Sequence, residues 1–438
     1  MPITEREIII VGAGVIGLSS LYRSLEDINN SSDKNNIKYY INLIAKNGPS
    51  LDINDIKYAP DYASFFAGAH QRPFPSDYSD DEKLTFQRRE SIYTSETFNF
   101  FINKGWNLIN ESTIKFVRGY DCIESPTPEY ANFNDGYNNG NLKHFIINDT
   151  IDPDLVPLKE QDKCKMINSY DTYVVNTPLY LSFLFKKCIE LTKKCKQKIQ
   201  FKYNFDINIS CLKDAIIFGT QSPNKPVIIN CTGRGLQWEI SAPDKDYCPI
   251  RGQTLLISVP KPAISSEGSY ISSFFKSKEN ETISNNNIVS KFEGATITHQ
   301  SSPEIGEWTF YIQRPLPKSH SDYNSKLYFI IGGTKNLNSS VEEISEKDTQ
   351  KLLQNGQRMF PNLFANGDWK LERINVGFRP AKKNNKGSDV SLCHKVYNGE
   401  PFAIINAYGF AGYGVECSMG AAAHVISLLK KGFKESLL

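Results

Sequence analysis

Charge of one sign is what this sequence most lacks. Across 438 residues, 50 Lys and Arg face 48 Asp and Glu, a formal balance of +2. No global field then draws the chain to nucleic acid or to an anionic membrane surface, and a small-molecule protein is expected. Histidine is scarce: six residues stand far apart without an H-x-x-x-H spacing, so no metal site is expected. Paired cysteines are missing too. Nine cysteines, an odd number, run from Cys122 to Cys417 with no C-x-x-C, which suits a reducing compartment better than a disulfide framework. The first apolar run is far too short to span a bilayer, and the charged residues ahead of it do not read as a signal peptide. Without secretion, a sequon such as that at Asn280 carries no weight.

What the sequence does have is length for two or three domain-sized units and one motif near its start, "EIIIVGAGVIGLSSLYRSLEDI". Ile8 to Val11 form a β-branched run that reads as a buried parallel strand. Leu18, Leu21, Tyr22, Leu25 and Ile28 then recur at helical spacing. Between strand and helix stand Gly12, Gly14 and Gly17, with Val15 and Ile16 opening the helix. This G-x-G-x-x-G allows a tight turn, lets a pyrophosphate approach the backbone, and lets helix and strand pack closely. The phosphates would rest on the helix amino terminus. A second strand, "KYYINLIAKN", would ordinarily end in an acid that holds the adenosine ribose; it ends in Lys46 and Asn47, and an Asn amide can bond a ribose hydroxyl less strongly. Two Asn-rich tracts, around residues 28–38 and from Lys278, read as solvated insertions.

Further strand-and-glycine stretches recur to the far end: "VIINCTGRGLQ", "IRGQTLLISV", "LYFIIGGT" and "AIINAYGFAGYGVECSMGAAAHVISLLKK". A nicotinamide dehydrogenase, with catalysis in a separate following domain, does not look like this. Cys231 and Cys417 lie in these stretches and read as buried, inert thiols. One arginine stands out, in "NVGFRPAKKN": buried without a partner it would cost several kcal/mol, so Arg379 either sits in water or meets an anion.

Together with "FFAGAHQRPF", "SYDTYVVNTPLYLSFL" and "TFYIQRP", these stretches resemble the D-amino-acid oxidase and D-aspartate oxidase family of FAD enzymes, in its fungal form, over most of the chain. Residues 260–305 have no counterpart. The resemblance implies an α/β fold: a Rossmann-like FAD-binding domain of glutathione-reductase type from segments 1–75, 165–258 and 327–438. Interleaved with it would be an α+β substrate domain, from 76–164 and 259–326 with part of 335–375, holding a large, mostly antiparallel sheet.

It also implies oxidative deamination of a D-amino acid, with hydride transfer to flavin N5 and molecular oxygen as the final acceptor, giving a 2-oxo acid, ammonia and hydrogen peroxide. Arg379 would clamp the substrate carboxylate, which a planar guanidinium fork matches. Tyr311 would add a hydroxyl, and the Gly414 carbonyl would accept from the substrate amine. Non-covalent FAD would further touch Ala67, Gly68, Val175, Cys231, Thr232, Gly233, Gly412, Tyr413 and Val415. Tyr270 is a weak candidate for a lid tyrosine. An acidic substrate needs a second cation, for which His70 and Arg72, with Gln71 between them, and Lys335 are the candidates; neutral or broad specificity is preferred over D-aspartate. A glycine or sarcosine-type amine oxidase and a catalytically silent flavin protein remain alternatives, and a homodimer stays open. Ser436-Leu437-Leu438 resembles a peroxisomal address with its basic residue replaced; the cytoplasm is the alternative.

Overall fold

A computed structural model describes residues 4–31, 37–261, 288–365 and 367–435. Tyr270, the tract from Lys278 to Asn287, and the terminal Ser-Leu-Leu lie outside them. Two sheets organise the chain. The first has six strands in the order β13-β14-β6-β1-β2-β5: β1 Thr4–Val11, β2 Ile37–Ile44, β5 Lys198–Asn204, β6 Val227–Asn230, β13 Asp389–Tyr397 and β14 Glu400–Tyr408. β1 lies between β2 and β6, parallel to both. That central position explains its unbroken apolar run, since Ile8, Ile9 and Ile10 are wholly buried on both faces.

The helix Val15–Asn30 follows at once. Leu18, Leu21, Tyr22, Leu25 and Ile28 all point inward, and each fully buried Leu or Ile contributes about 1.5–3 kcal/mol. They pack with the helices Thr177–Lys194 and Ser418–Glu435. The shorter helix Leu212–Gly219 covers the opposite face.

The second sheet is built from β3 Ile114–Ile123, β4 Met166–Val175, β7 Tyr247–Pro260, β8 Ala295–Gln300, β9 Trp308–Arg314, β10 Lys326–Gly332, β11 Asn336–Leu337 and β12 Lys370–Lys382. Every pairing in it is antiparallel except β3 with β8. The large, mostly antiparallel sheet is therefore present, but its membership corrects the expected segments. β4, β7, β10 and β12 all fall in spans expected in the FAD-binding domain, or at their edge, yet pair within the second sheet. Conversely the helix Asp81–Asn103, expected in the substrate domain, packs on Ser418–Glu435 beside the first sheet. Strand pairing is decided by distant partners, and a boundary drawn from motif order does not register them.

β7 is the hinge of the arrangement in a topological sense. One edge pairs with β12 over its whole length, and the other takes β10 and β11. This puts Arg379 opposite Ile250, and Gly377 opposite Gly252, where the second sheet meets the loops that follow β6 and β14 in the first.

Candidate active site

A cavity of ≈380 Å³ is lined by both the glycine-rich turn and Arg379. Its floor is the end of β1 and the start of the following helix, Gly12 to Ile16. Gly12 has φ of +104°, a conformation that side chains rarely adopt, and a Cβ there would strike the Cys231 carbonyl. Gly17 does not line the cavity; a Cβ on it would overlap the Gly12 carbonyl, so its role is close packing of helix on turn. Gly14, in ordinary extended backbone, borders the cavity with only the Ser64 hydroxyl near its missing Cβ.

Ser64 lies in a short 3-10 helix, Ala63–Phe66, just ahead of Ala67 and Gly68, and no sequence motif pointed to it. Its Oγ accepts from Val15 N at 3.0 Å, and Tyr62 donates to the Ala13 carbonyl at 2.6 Å, so the segment 61–68 is tied across the glycine turn. Asp61 begins that segment. It accepts from Lys46 Nζ at 2.6 Å and from Asn47 Nδ2 at 2.9 Å, and all three residues line the cavity. The acid absent from the end of β2 is thus supplied by a loop. Nothing local in the sequence points to Asp61, because its partners are fourteen or more residues away.

From the other side come Cys231, Thr232, Gly233 and Arg234 after β6, and Gly409 to Gly412, Gly414 and Val415 after β14. Gly409 N bonds Gly233 O at 3.0 Å and Ala411 N bonds Pro380 O at 2.8 Å, which holds both loops against β12. The Cys231 thiol is pushed up to about 12 by burial, and burial raises Cys417 as well; both fit inert thiols. Tyr413 turns away from the cavity and packs on Phe74 at 4.5 Å between ring centroids. The helix beyond begins at Ser418, three residues after Val415.

Arg379 closes the far end. The residue is half-buried because it borders the cavity, but its charged end lies among protein atoms, and the resulting desolvation lowers its pKa. Its one described hydrogen bond runs from Nη1 to the Thr334 carbonyl at 3.2 Å. Among the described residues no carboxylate pairs with it. Gly252 leaves the room it occupies, since a Cβ there would lie 2.5 Å from Nη1.

Tyr311 requires a correction. Its ring is wholly buried among Phe292, Phe329 and Phe360, and its hydroxyl finds no partner among the described residues. Side chains alternate along β9, so the residue facing the cavity is the neighbouring Phe310. No hydroxyl reaches Arg379 from this strand. Val175 is also displaced from the expected role. It is core, and its backbone bonds Ala69 O at 2.8 Å and accepts from Arg314 at 3.4 Å. Arg314 in turn donates to Ala67 O at 2.6 Å and Thr177 Oγ1 at 2.8 Å, so it braces the loop carrying Ala67 and Gly68, which do line the cavity.

None of the three candidates for a second cation lines the cavity. The His70 Nδ1 lies 3.0 Å from Thr296 Oγ1, and burial, with Arg72 adding to it, lowers its pKa to about 3. Arg72 donates to Asp121 at 2.8 Å between the rings of Trp308 and Tyr130. Lys335 is exposed. Burial keeps His70 neutral, Asp121 pairs with Arg72, and Lys335 stands in solvent.

No family model matches the chain. Curated relatives do match: a D-aspartate oxidase of Talaromyces thermophilus is 25% identical over 430 residues, covering 96% of this chain and 94% of the relative. A D-amino-acid oxidase of Schizosaccharomyces pombe is 25% identical over 434 residues, covering 97% and 96%. The chain resembles these oxidases along almost its whole length. Among solved structures, glycine oxidase from Geobacillus kaustophilus superposes with a TM-score of 0.58 at 11% identity, covering 98% of this chain and 95% of that one. L-alpha-glycerophosphate oxidase from Mycoplasma pneumoniae, with FAD bound, gives 0.54 at 15% identity over 98% and 95%. These two share the fold. Of the substrate-binding residues that the resemblance implies, Arg379 and Gly414 line the cavity and Tyr311 does not.

Proposed function

We propose that the chain is an FAD-dependent oxidase that deaminates D-amino acids of neutral or broad side-chain class to 2-oxo acids, ammonia and hydrogen peroxide. The observation that carries this reading is a guanidinium without a described acid partner, at one end of a cavity whose other end is a glycine cradle of dinucleotide type. The cradle fits FAD: Gly12 makes the tight turn and Gly14 borders the cavity without a side chain, Lys46, Asn47 and Asp61 offer donors and an acceptor at the ribose end, and Thr232, Gly233, Gly412 and Val415 would flank the rest. Bound there non-covalently, FAD would supply the acceptor for the substrate's α-hydrogen and a route for electrons to dioxygen.

The protein's own residues bind and orient. Arg379 would grip the α-carboxylate through two parallel N–H···O bonds, which are strong where water is excluded. The Gly414 carbonyl would accept from the amine, and holding both groups fixes the direction of the Cα–H. Among the described lining residues the one carboxylate is Asp61, and Lys46 and Asn47 occupy it. No side-chain base therefore stands ready to take the α-proton, which favours hydride over proton removal. The amine must be neutral, so kcat/KM should rise with pH through the amine's ionisation.

The cavity lining includes Phe66, Phe310 and Phe378 with Thr254 and Asn375, which supports neutral substrates. The rival, a D-aspartate oxidase, draws support from Arg234, an exposed cation on the same cavity. Anaerobic titration of the purified yellow holoprotein decides between them. Bleaching by D-alanine and not by L-alanine is expected; bleaching by D-aspartate alone would favour the rival, and bleaching by glycine or sarcosine alone would overturn the D-amino-acid reading. A peroxisomal location is proposed on the Ser-Leu-Leu tail, and failure of that tail to import a fluorescent protein would remove it.

A further inference from the structure

One buried acid stands beside the cavity without lining it. Glu416 directly follows Val415 in the loop after β14 and is only 5% exposed. Its one described hydrogen bond runs from Arg72 N to Oε2, at 2.9 Å. Arg72 carries the tie onward, for its Nε donates to Asp121 at 2.8 Å, and Asp121, wholly buried on β3, also accepts from Tyr137 at 2.9 Å and Tyr170 at 3.2 Å. Gln71, one residue earlier, is bound to β4 through its backbone: its N donates to Tyr173 O at 3.1 Å, and its O accepts from Thr172 Oγ1 at 2.6 Å. The bond from Arg72 to Glu416 therefore crosses from a loop of the first sheet to a segment fastened on the second.

Charge does not hold it there. Facing Glu416 are Arg72, Asp121, Glu90 from the helix Asp81–Asn103, and the phenols of Tyr130, Tyr170, Tyr173 and Tyr413. Arg72 is the one cation among these and is paired with Asp121, so an ionised Glu416 would be a buried charge without a counter-ion of its own. Desolvation accordingly raises its pKa, and a neutral carboxyl remains as the acceptor for Arg72 N. The neighbour gains from this bond. Gly414, two residues before Glu416, has a carbonyl that accepts no described hydrogen bond, and glycine leaves its direction free. What fixes that direction lies on either side: Tyr413 packed on Phe74, and Glu416 bonded to Arg72.

We propose that Glu416 is a positioning residue: its bond with Arg72 N pins the loop Gly412 to Val415 to the second sheet and aims the Gly414 carbonyl at the substrate amine. This role rests on the oxidase reading, which supplies the amine. It separates two parts of substrate binding, the carboxylate clamp of Arg379 and the orientation of the amine, and assigns Glu416 to the second alone.

Two measurements on the purified holoprotein keep these parts distinct. Anaerobic stopped-flow bleaching by D-alanine, or by D-aspartate if only that reduces the flavin, gives the limiting rate. Propanoate has the carboxylate and no amine, so its perturbation of the flavin spectrum reports the Arg379 clamp alone. Glu416→Leu removes the acceptor: the limiting rate should fall on the order of tenfold to a hundredfold, while flavin content and propanoate affinity stay within about twofold. Glu416→Gln keeps an oxygen for Arg72 N and cannot ionise, so it should restore the wild-type rate and its pH dependence. An unchanged rate in Glu416→Leu, a Glu416→Gln rate as low as that of the leucine variant, or joint loss of flavin and propanoate binding would overturn the role. Should Glu416→Leu not fold, Glu416→Asp, one methylene short of Arg72 N, is expected to show the same split in milder form, and its absence there would count equally against the role. A wild-type holoprotein that binds propanoate but is bleached by no D-amino acid would overturn the oxidase reading itself, and the role with it.

Discussion

Replacing Arg379 with Met keeps most of the stem and removes the charge. In the free protein that charge is desolvated, has no described acid partner and keeps one described bond, to the Thr334 carbonyl. Its loss should therefore cost little stability and is expected to leave the melting temperature level or raise it. Substrate binding should respond in the opposite way. Without the guanidinium, the carboxylate enters a cavity lined in part by Phe66, Phe310 and Phe378 and loses its paired cation, and removing one partner of such a pair costs about 3–5 kcal/mol. That corresponds to roughly two to nearly four orders of magnitude in kcat/KM. The assay is peroxide release from D-alanine at saturating oxygen, alongside the ratio of flavin to protein absorbance. The flavin ratio should hold while kcat/KM collapses. Unchanged kinetics, or a large drop in melting temperature, would refute the account of Arg379 as an anion clamp waiting in the free protein.

Four other outcomes are expected. Tyr311→Phe should stabilise the fold by about 1 kcal/mol, because it removes a buried hydroxyl without a partner, and should leave kinetics alone; Phe310→Tyr should lower KM severalfold by returning a hydroxyl to the cavity wall beside Arg379. Gly14→Ala should fold, since only the Ser64 Oγ stands near, at 3.0 Å, yet purify with a reduced flavin content. For pH, His70 has a folded pKa lowered to about 3 against an ordinary 6.5, so the unfolded chain binds the extra proton between those values. Stability should fall as pH drops through that window, at no more than about 1.4 kcal/mol per unit from this group, and His70→Gln should flatten the acid limb of the denaturation profile.

The glycine turn, its strand and its helix were legible because each depends on residues adjacent in the chain. Ile8 to Val11 and the Leu18 to Ile28 spacing carry their own period, and Gly12 needs a backbone that glycine alone adopts freely. Arg379 was legible because a cation between Phe378 and Pro380 demands a reason. What failed depends on distance. Tyr311 and Phe310 differ by one step in a strand of period two, so a motif aligned one residue off turns the wrong ring inward. Asp61 reaches the cavity through a loop, and His70 and Arg72 are taken up by Thr296 and Asp121, which no spacing in the sequence reveals. The strands β4 and β7 found their sheet through partners far along the chain.

Because the cavity takes its floor from Gly12 and its last wall from Val415, a ribosome must release everything between them before this cavity exists. The early glycine turn can fold as local structure during synthesis but has nothing to grip until the loop after β14 arrives. Flavin uptake would then mark the end of maturation, and a fragment ending before that loop would stay colourless however well its first sheet is formed.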